Sequence, residues 1–336
     1  MWADQKYVIN QSRPSFMGLM LVTGGAGFIG FRIATHALQS GWKVRILDNL
    51  STGNKEHIEL LQKYGADICI GDIRNSAMVS SCIEGCDVVV HLAAQVSVPL
   101  SVQQPEETLD INVGGTKHVL DSCLVHGVRK MVMASSAAVY GNIDKFPLCE
   151  EDAGQILSPY ADSKWENERQ ILQARGQGLD CAALRFFNVY GPGQSVQGAY
   201  SAVIPKFCSM MIEGTAPTIL GDGEQTRDFV HVDDVCSAIF SLIEVDVQSQ
   251  QHHVYNVATQ TQISLLDLVS VLNQKLGVLS GDYSPLQPRF GPERAGDVKH
   301  SYANIERLVR ATGWRPKVSF SDGIEDLLRS HFMKQE

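Results

Sequence analysis

The chain has 336 residues, of which 44% are hydrophobic and 19% charged, and it carries a formal net charge of −9. That composition fits a globular protein long enough to bury a full core, in one large domain or two closely joined ones. The acidic balance argues against general nucleic-acid binding, so an anionic ligand must be met by a few placed cations and backbone N–H groups.

The first 17 residues include Asp4, Lys6 and Arg13 and no long apolar run, and they read as a tail and not as a signal peptide. Residues 19–23 form a short apolar run that stops at glycines, which predicts a buried strand. Helical spacing follows over 28–40, with Gly41 as a natural stop. Strands are predicted at 43–47, 67–70, 87–92, 130–134 and 181–186. Helices are predicted at 77–83, at 112–126 with Gly127 ending it, and at 160–175. Strands alternating with helices imply an α/β fold, a Rossmann-like doubly wound parallel sheet covered on both faces. Beyond Gly191 the rhythm changes, and residues 254–258 again look like a sheet strand. The expected division is a tail (1–17), a dinucleotide-binding domain (18–190 with about 231–275), and a smaller α/β lobe (191–230 and 276–336). No stretch of about 18 apolar residues occurs, so no membrane span is expected.

Eight cysteines lie at irregular spacings without a CxxC pair. They read as small buried side chains in a reducing, cytoplasmic setting, and no metal site is expected. Asp233 and Asp234 read as a helix N-cap pair. Arg129, Lys130 and Lys299 read as surface charges.

Residues Thr23 to Gly30 join the first strand to the first helix, with Gly24, Gly27 and Gly30 spaced by three. Glycines let the backbone approach a pyrophosphate, and the helix N-terminus offers free N–H groups to it. Asp48, at the end of the second strand, stands where a ribose-binding acid is expected. A carboxylate there accepts from ribose hydroxyls and repels a 2′-phosphate, which favours NAD over NADP. Asp72 ends the third strand and could accept from the adenine amino group. Leu92, Ala93 and Ala94 end the fourth with side chains that let a cofactor pass closely, whereas His91 reads as a core histidine.

Tyr160 and Lys164 share one face at the start of a helix, and Ser135–Ser136 end the preceding strand. A phenol is a poor base at neutral pH. A neighbouring ammonium and a cationic nicotinamide would favour its phenolate, and Ser136 could hold a sugar hydroxyl. Arg227 and Arg294 are the candidates to clamp a diphosphate, because guanidinium forks suit phosphate oxygens.

These motifs resemble the extended short-chain dehydrogenase/reductases, and among them the nucleotide-sugar 4-epimerases. The resemblance runs through TGGAGFIG (23–30), DNLSTG (48–53), GDIRN (71–75), HLAAQVSVP (91–99), SSAAVYG (135–141), SPYADSK (158–164), RFFNVYGPGQ (185–194), GDGEQTRDFVHVDD (221–234) and RAGDVKHSYAN (294–304). It implies Ser136, Tyr160 and Lys164 as the catalytic trio, supported by Asn112. It further implies NAD contacts from Phe28, Ile29, Asn49, Ser51, Thr52, Gly53, Ile73 and Gln95, with Asn112, Tyr160 and Lys164. Ser97, Asn188, Ala202, Val203, Asp297 and Ser301 are implied on the substrate side. Asn188 would reach the diphosphate and Asp297 the uridine ribose.

Dehydrating relatives carry an acid pair at positions matching Ala137 and Ala138, and decarboxylating relatives keep an acid at the latter. Alanine performs no acid–base work. Epimerisation needs only one base and one hydride acceptor: Tyr160 takes the 4-hydroxyl proton, NAD the C4 hydride, and both return after the 4-keto sugar turns over. Ser301 corresponds to the position bordering the hexose C2 substituent, where a small residue leaves room for an N-acetyl group. The segment 198–206 resembles the branch acting on such sugars. The expected reaction is therefore UDP-GlcNAc/UDP-GalNAc interconversion, with UDP-Glc/UDP-Gal alongside. Strict UDP-glucose 4-epimerisation, UDP-glucuronate 4-epimerisation, one-way reduction and a non-catalytic NAD(H)-sensing role are the alternatives. The resemblance also implies a homodimer through helices near 102–126 and 160–175.

Overall fold

The computed structural model describes residues 18–194, 202–293 and 299–332. Six strands of the main sheet arise in chain order: β1 (Leu19–Thr23), β2 (Lys43–Asp48), β3 (Asp67–Ile70), β4 (Val88–His91), β5 (Lys130–Ser136) and β6 (Cys181–Phe186). With the strand Val254–Val257 they form one seven-stranded sheet, ordered β3-β2-β1-β4-β5-β6 and then Val254–Val257, every pairing parallel. The order reverses at β1, which has β2 on one side and β4 on the other. The crevice at the carboxyl ends of these two strands is the ligand position of such sheets.

Side-chain alternation along the strands explains why both faces are covered. Met20, Val22, Val88 and Val90 pack on one face with Ile33, Ala34 and Ala37 of helix Phe28–Gln39. Leu21, Val89, Met131 and Met133 pack on the other with Val79 of helix Ser76–Ile83 and Val119 of helix Gly115–Val125. Burial of both faces is what makes β4 and β6 almost uninterrupted apolar runs.

A third core defines the smaller lobe. Phe207 and Met211 of helix Val203–Ile212, Leu268 and Leu272 of helix Leu265–Leu279, and Ile324 and Leu328 of helix Phe320–Phe332 meet there. The packing differs from the expected division in two places. Helix Leu265–Leu279 joins the lobe core, although most of it falls within 231–275. Leu308 of helix Glu306–Thr312 joins the main core, although it falls within 276–336.

Other departures have local causes. The structure adds a helix at Lys55–Lys63; the Asn54 side chain caps it by accepting from Glu56 N, and Ile58 and Leu61 form its buried edge. The helix expected from residue 112 begins instead at Gly115, after helix Pro105–Leu109 and a π-turn over Asp110–Gly114. β5 runs two residues past Ala134, to Ser136. Lys130 is no surface charge. It is fully buried, its ammonium 2.5 Å from Asp180 Oδ2 and donating to Val245 O at 2.5 Å. Six of the eight cysteines are buried, Cys69 and Cys149 half-buried, and all are free thiols. Burial pushes Cys82, Cys181 and Cys208 up to about 12, which leaves them unreactive. No helix among the described residues is long and apolar enough to cross a membrane.

Candidate active site

The glycine turn after β1 is built by close backbone approach. Gly24 has φ +70°, and a Cβ there would lie 2.8 Å from Ala93 N. A Cβ on Gly30 would lie 2.1 Å from Gly24 O, so helix Phe28–Gln39 could not seat against the turn. Gly27 is the N-cap of that helix, and Phe28 and Ile29 start it half-buried. Its first N–H groups therefore face the crevice without intrahelical partners. Asp48 is buried at the end of β2, where its two oxygens accept Ala26 N at 2.9 Å and Leu50 N at 2.8 Å. Each carboxylate oxygen keeps a further acceptor site. Gly53 packs so close that a Cβ would meet Asp48 Oδ1 at 2.8 Å. This cradle, which any added Cβ would fill, fits a dinucleotide pyrophosphate and its ribose.

The neighbouring expected cofactor residues are held mainly by one another. Asn49 accepts Ser51 N at 3.0 Å and donates to Asp72 Oδ2 at 3.0 Å, while Ser51 and Thr52 are exposed at the rim. Arg74 grips Asp72 with Nε and Nη2 and holds its carboxyl well below the usual range, so Asp72 is first a turn residue. Ile73 is buried in the core, against Gly115, and can offer a ligand only its backbone. Thr23 Oγ1 accepts Leu92 N and Ala93 N, each at 3.2 Å, and Ala94 lies half-buried beside them. His91 is the core histidine expected: Nδ1 bonds Thr23 Oγ1 at 2.7 Å and Nε2 bonds Thr116 Oγ1 at 2.9 Å. Burial, helped by the charge of Lys164, pushes its pKa down to about 3.

Tyr160 enters at the first turn of helix Pro159–Gly176, which Ser158 caps by accepting from Ala161 N. Tyr160 is 9% exposed, and its backbone N–H donates to Ser101 Oγ at 3.1 Å. Lys164 follows one turn on, also buried, its Nζ donating to Ala134 O at 3.0 Å. Ser136, Tyr160 and Lys164 thus converge at the carboxyl end of β5. Burial lowers the Lys164 ammonium to about 8 against the charge of Glu168. Burial also raises the Tyr160 phenol, with the Ser136 hydrogen bond opposing. The lowering expected at Tyr160 therefore does not follow from Lys164 alone; a cationic nicotinamide ring would have to add to it.

Asn112 sits in the π-turn and clamps two elements. Its Oδ1 accepts Gln95 N at 2.8 Å, and its Nδ2 donates to Gln95 O at 3.0 Å and Ser163 Oγ at 2.9 Å. Ser163 in turn donates to Tyr160 O at 2.7 Å. Ser97 caps helix Val98–Gln103 by accepting Leu100 N.

In the smaller lobe, Thr226–Arg227 pairs in parallel with His300–Ser301, placing Arg227 beside Ser301 and Thr226 beside His300. Thr226 Oγ1 and His300 Nδ1 are 2.9 Å apart on one face, so Arg227 and Ser301 share the other. Arg227 Nη1 donates to Thr226 O at 2.9 Å. Asn188 Nδ2 donates to Asp228 O at 3.1 Å. Asp228, next to Arg227, is buried and accepts Thr259 N, Thr259 Oγ1 and Gln260 N. Ala202 is the exposed N-cap of helix Val203–Ile212, and Val203 packs on the lobe core. Arg294 and Asp297 lie outside the described residues.

The N-cap reading of Asp233 and Asp234 needs correction: His231 is the cap and both acids lie in the first turn. His231 and Asp326 bring possible ligand atoms within 4.8 Å of Asp233. Arg32, however, donates to both Asp233 oxygens, and Asp234 accepts Lys317 N and Val318 N.

Sequence reasoning passed over a buried pair beside the trio. Arg185 donates from Nε to Glu168 Oε1 at 2.8 Å and from Nη2 to Oε2 at 2.7 Å. The available signal was Glu168 itself, an acid four residues past Lys164 on a face that must be buried.

A doubly wound sheet with a glycine-rich turn, an acid after the second strand and a Ser–Tyr–Lys cluster at the carboxyl edge defines an extended short-chain dehydrogenase/reductase. The chain belongs to the NAD dependent epimerase/dehydratase family, whose model matches residues 20–258. A putative UDP-glucose 4-epimerase of Methanocaldococcus jannaschii is 35% identical over 310 residues, spanning 91% of this chain and 96% of that protein. A UDP-N-acetyl-alpha-D-glucosaminuronate decarboxylase of Bacillus cytotoxicus is 28% identical, over 92% of this chain and 96% of that one. Among solved structures, the UDP-N-acetylglucosamine 4-epimerase of Methanobrevibacter ruminantium M1, in complex with UDP-N-acetylmuramic acid, superimposes with TM-score 0.86 at 33% identity. That match covers 95% of this chain and 99% of the other. The protein is an NAD-dependent enzyme of the nucleotide-sugar epimerase type.

Proposed function

We propose that this enzyme inverts C4 of a UDP-linked hexose and that its preferred pair is UDP-GlcNAc/UDP-GalNAc. The observation that carries the chemistry is the meeting of Ser136, Tyr160 and the buried Lys164 ammonium at the carboxyl end of β5, with Tyr160 and Lys164 one helical turn apart. Bound NAD supplies a reversible hydride acceptor. Tyr160, as phenolate, takes the proton of the 4-hydroxyl and later returns it; Ser136 holds that hydroxyl toward the phenolate; Lys164 supplies the positive charge that keeps the phenolate populated. Ala137 and Ala138 occupy the half-buried turn just beyond Ser136. Neither can move a proton, so this site favours epimerisation over dehydration or decarboxylation, including the reaction named for the Bacillus relative.

The substrate reading rests on Ser301. It shares a strand face with Arg227, so a diphosphate gripped by Arg227 would run its hexose past a small hydroxyl side chain. That leaves room for an acetamido group. Arg294, Asp297 and Asn188 are proposed to complete the nucleotide clamp. Comparing kcat/KM for the two UDP-sugar pairs, without added NADH, tests this. Inactivity on the acetylated pair overturns the preference, leaving UDP-glucose 4-epimerisation as the alternative. Turnover that requires added NADH and consumes it stoichiometrically would overturn epimerisation itself and favour a reductase.

We also propose a division in which the main sheet holds NAD and the lobe built on the third core holds the sugar nucleotide. The proposed homodimer rests on Val102, Leu109 and Leu172, which stand exposed on the helices expected to pair; light scattering in solution tests it.

A further inference from the structure

Behind the trio lies a buried charge network that the chemistry above does not use. Glu168 stands one helical turn beyond Lys164. Arg185 grips both its oxygens, and Ser135 donates its hydroxyl to Oε1 at 2.5 Å. Ser135 sits between Ala134, whose carbonyl receives Lys164 Nζ, and Ser136. It pairs in register with Arg185 across β5 and β6. Arg185 also donates from Nη1 to Tyr140 Oη at 3.0 Å and Glu150 O at 2.8 Å, and its guanidinium lies 4.9 Å from the Tyr140 ring centre. Tyr140 ends the short turn Ala137–Tyr140 that begins at Ser136. One carboxylate therefore connects, through its direct partners, to the strand end that carries Ser136 and the helix that carries Tyr160 and Lys164.

We propose that Glu168 is a positioning residue for the active site: held by Arg185 and Ser135, it fixes the Ser136 strand end and keeps the buried Lys164 amine charged. The proposal rests on the reading of Ser136, Tyr160 and Lys164 as the reacting site. The groups around Lys164 are Tyr160 and Glu168 on its own helix, His91 on β4 and, behind Glu168, Arg185 on β6. His91 is held neutral by burial, so Glu168 is the anion available to Lys164 in the resting protein. A buried ammonium without an anion loses its proton more readily. A purely structural Glu168 would matter for stability and leave the titration of Lys164 alone.

The test is the pH profile of kcat for Glu168→Gln, which keeps shape and an acceptor but removes the charge. The alkaline limb is expected to move to lower pH by about one unit, the low end for a lost neighbouring charge. A parallel fall in kcat at every pH, with the limb unmoved, overturns the proposal. Because Glu168→Gln leaves Arg185 buried without its anion, the double variant Glu168→Gln/Arg185→Met removes both charges and is measured alongside. A shift in the same direction is expected there, smaller because the repulsion of Arg185 is removed as well, and an unmoved limb in whichever variant folds refutes the idea. Wild-type turnover and Tyr160→Phe serve as controls. An inactive wild type or an active Tyr160→Phe sinks the site reading, whereas an unmoved limb with both controls normal sinks only the role of Glu168.

Discussion

Replacing Tyr160 by Phe separates chemistry from folding. The substitution removes one oxygen and keeps the ring. The residue is 9% exposed at the start of its helix, and its backbone N–H still donates to Ser101 Oγ. The structural loss is at most one hydrogen bond of the phenol oxygen, for which Ser136 is the side chain that opposes the burial penalty. A bond of that kind contributes about 1 kcal/mol net, and an apolar ring is easier to bury than a phenol, so the melting temperature should move by only a few degrees. The catalytic loss is larger. A positioned acid–base group contributes a factor of about 10² to 10⁴, or about 3 to 5 kcal/mol of transition-state stabilisation at 1.36 kcal/mol per decade. Epimer interconversion followed by chromatography of the UDP-sugars, beside a thermal melt, reads both numbers. Turnover within about threefold of wild type in a folded Tyr160→Phe enzyme would refute the assignment of the reacting oxygen.

Lys164 gives a prediction about stability and pH. Its amine is lowered from the ordinary 10.5 to about 8, so between those values the unfolded chain binds more protons than the folded one. Folded stability therefore rises with pH across that window, relative to Lys164→Met, by up to about 3 kcal/mol; parallel denaturant curves for the two proteins, at neutral pH and at high pH, would contradict it. Ser301→Tyr should lower kcat/KM for the acetylated pair by about 10-fold or more and spare UDP-Glc/UDP-Gal; equal loss on both would exclude a gate. Asp48→Ala removes the acceptor of Ala26 N and Leu50 N as well as the proposed ribose contact. Calorimetry should show NAD affinity down by about 10-fold or more, and an unchanged affinity would place the ribose elsewhere.

Much of the sheet was legible because its signals are local. Alternating apolar runs and amphipathic stretches revealed the strand–helix order from Leu19 to Phe186, and the glycine spacing with Asp48 marked the cofactor crevice. Tyr160 and Lys164 were legible because four residues on a helix is a fixed geometry. The misjudged features depend on partners distant in sequence. Lys130 looks like a surface cation until Asp180 and the carbonyl of Val245 are brought around it. Helix Leu265–Leu279 carries no label in its own sequence saying which core will take its apolar face.

By itself, then, the sequence determined the fold class, the glycine-rich turn and which side chains are candidates to react, because short-range spacing dictates backbone geometry and residue type dictates chemistry. Only the tertiary structure decided what surrounds those side chains. Parallel pairing of β5 with β6 sets Arg185 against Ser135, and pairing of Thr226–Arg227 with His300–Ser301 puts the candidate gate beside the candidate clamp. Such neighbours are made by chain crossovers, and the fields that set the charge of Tyr160 and Lys164 depend on burial, which exists only once the chain has folded.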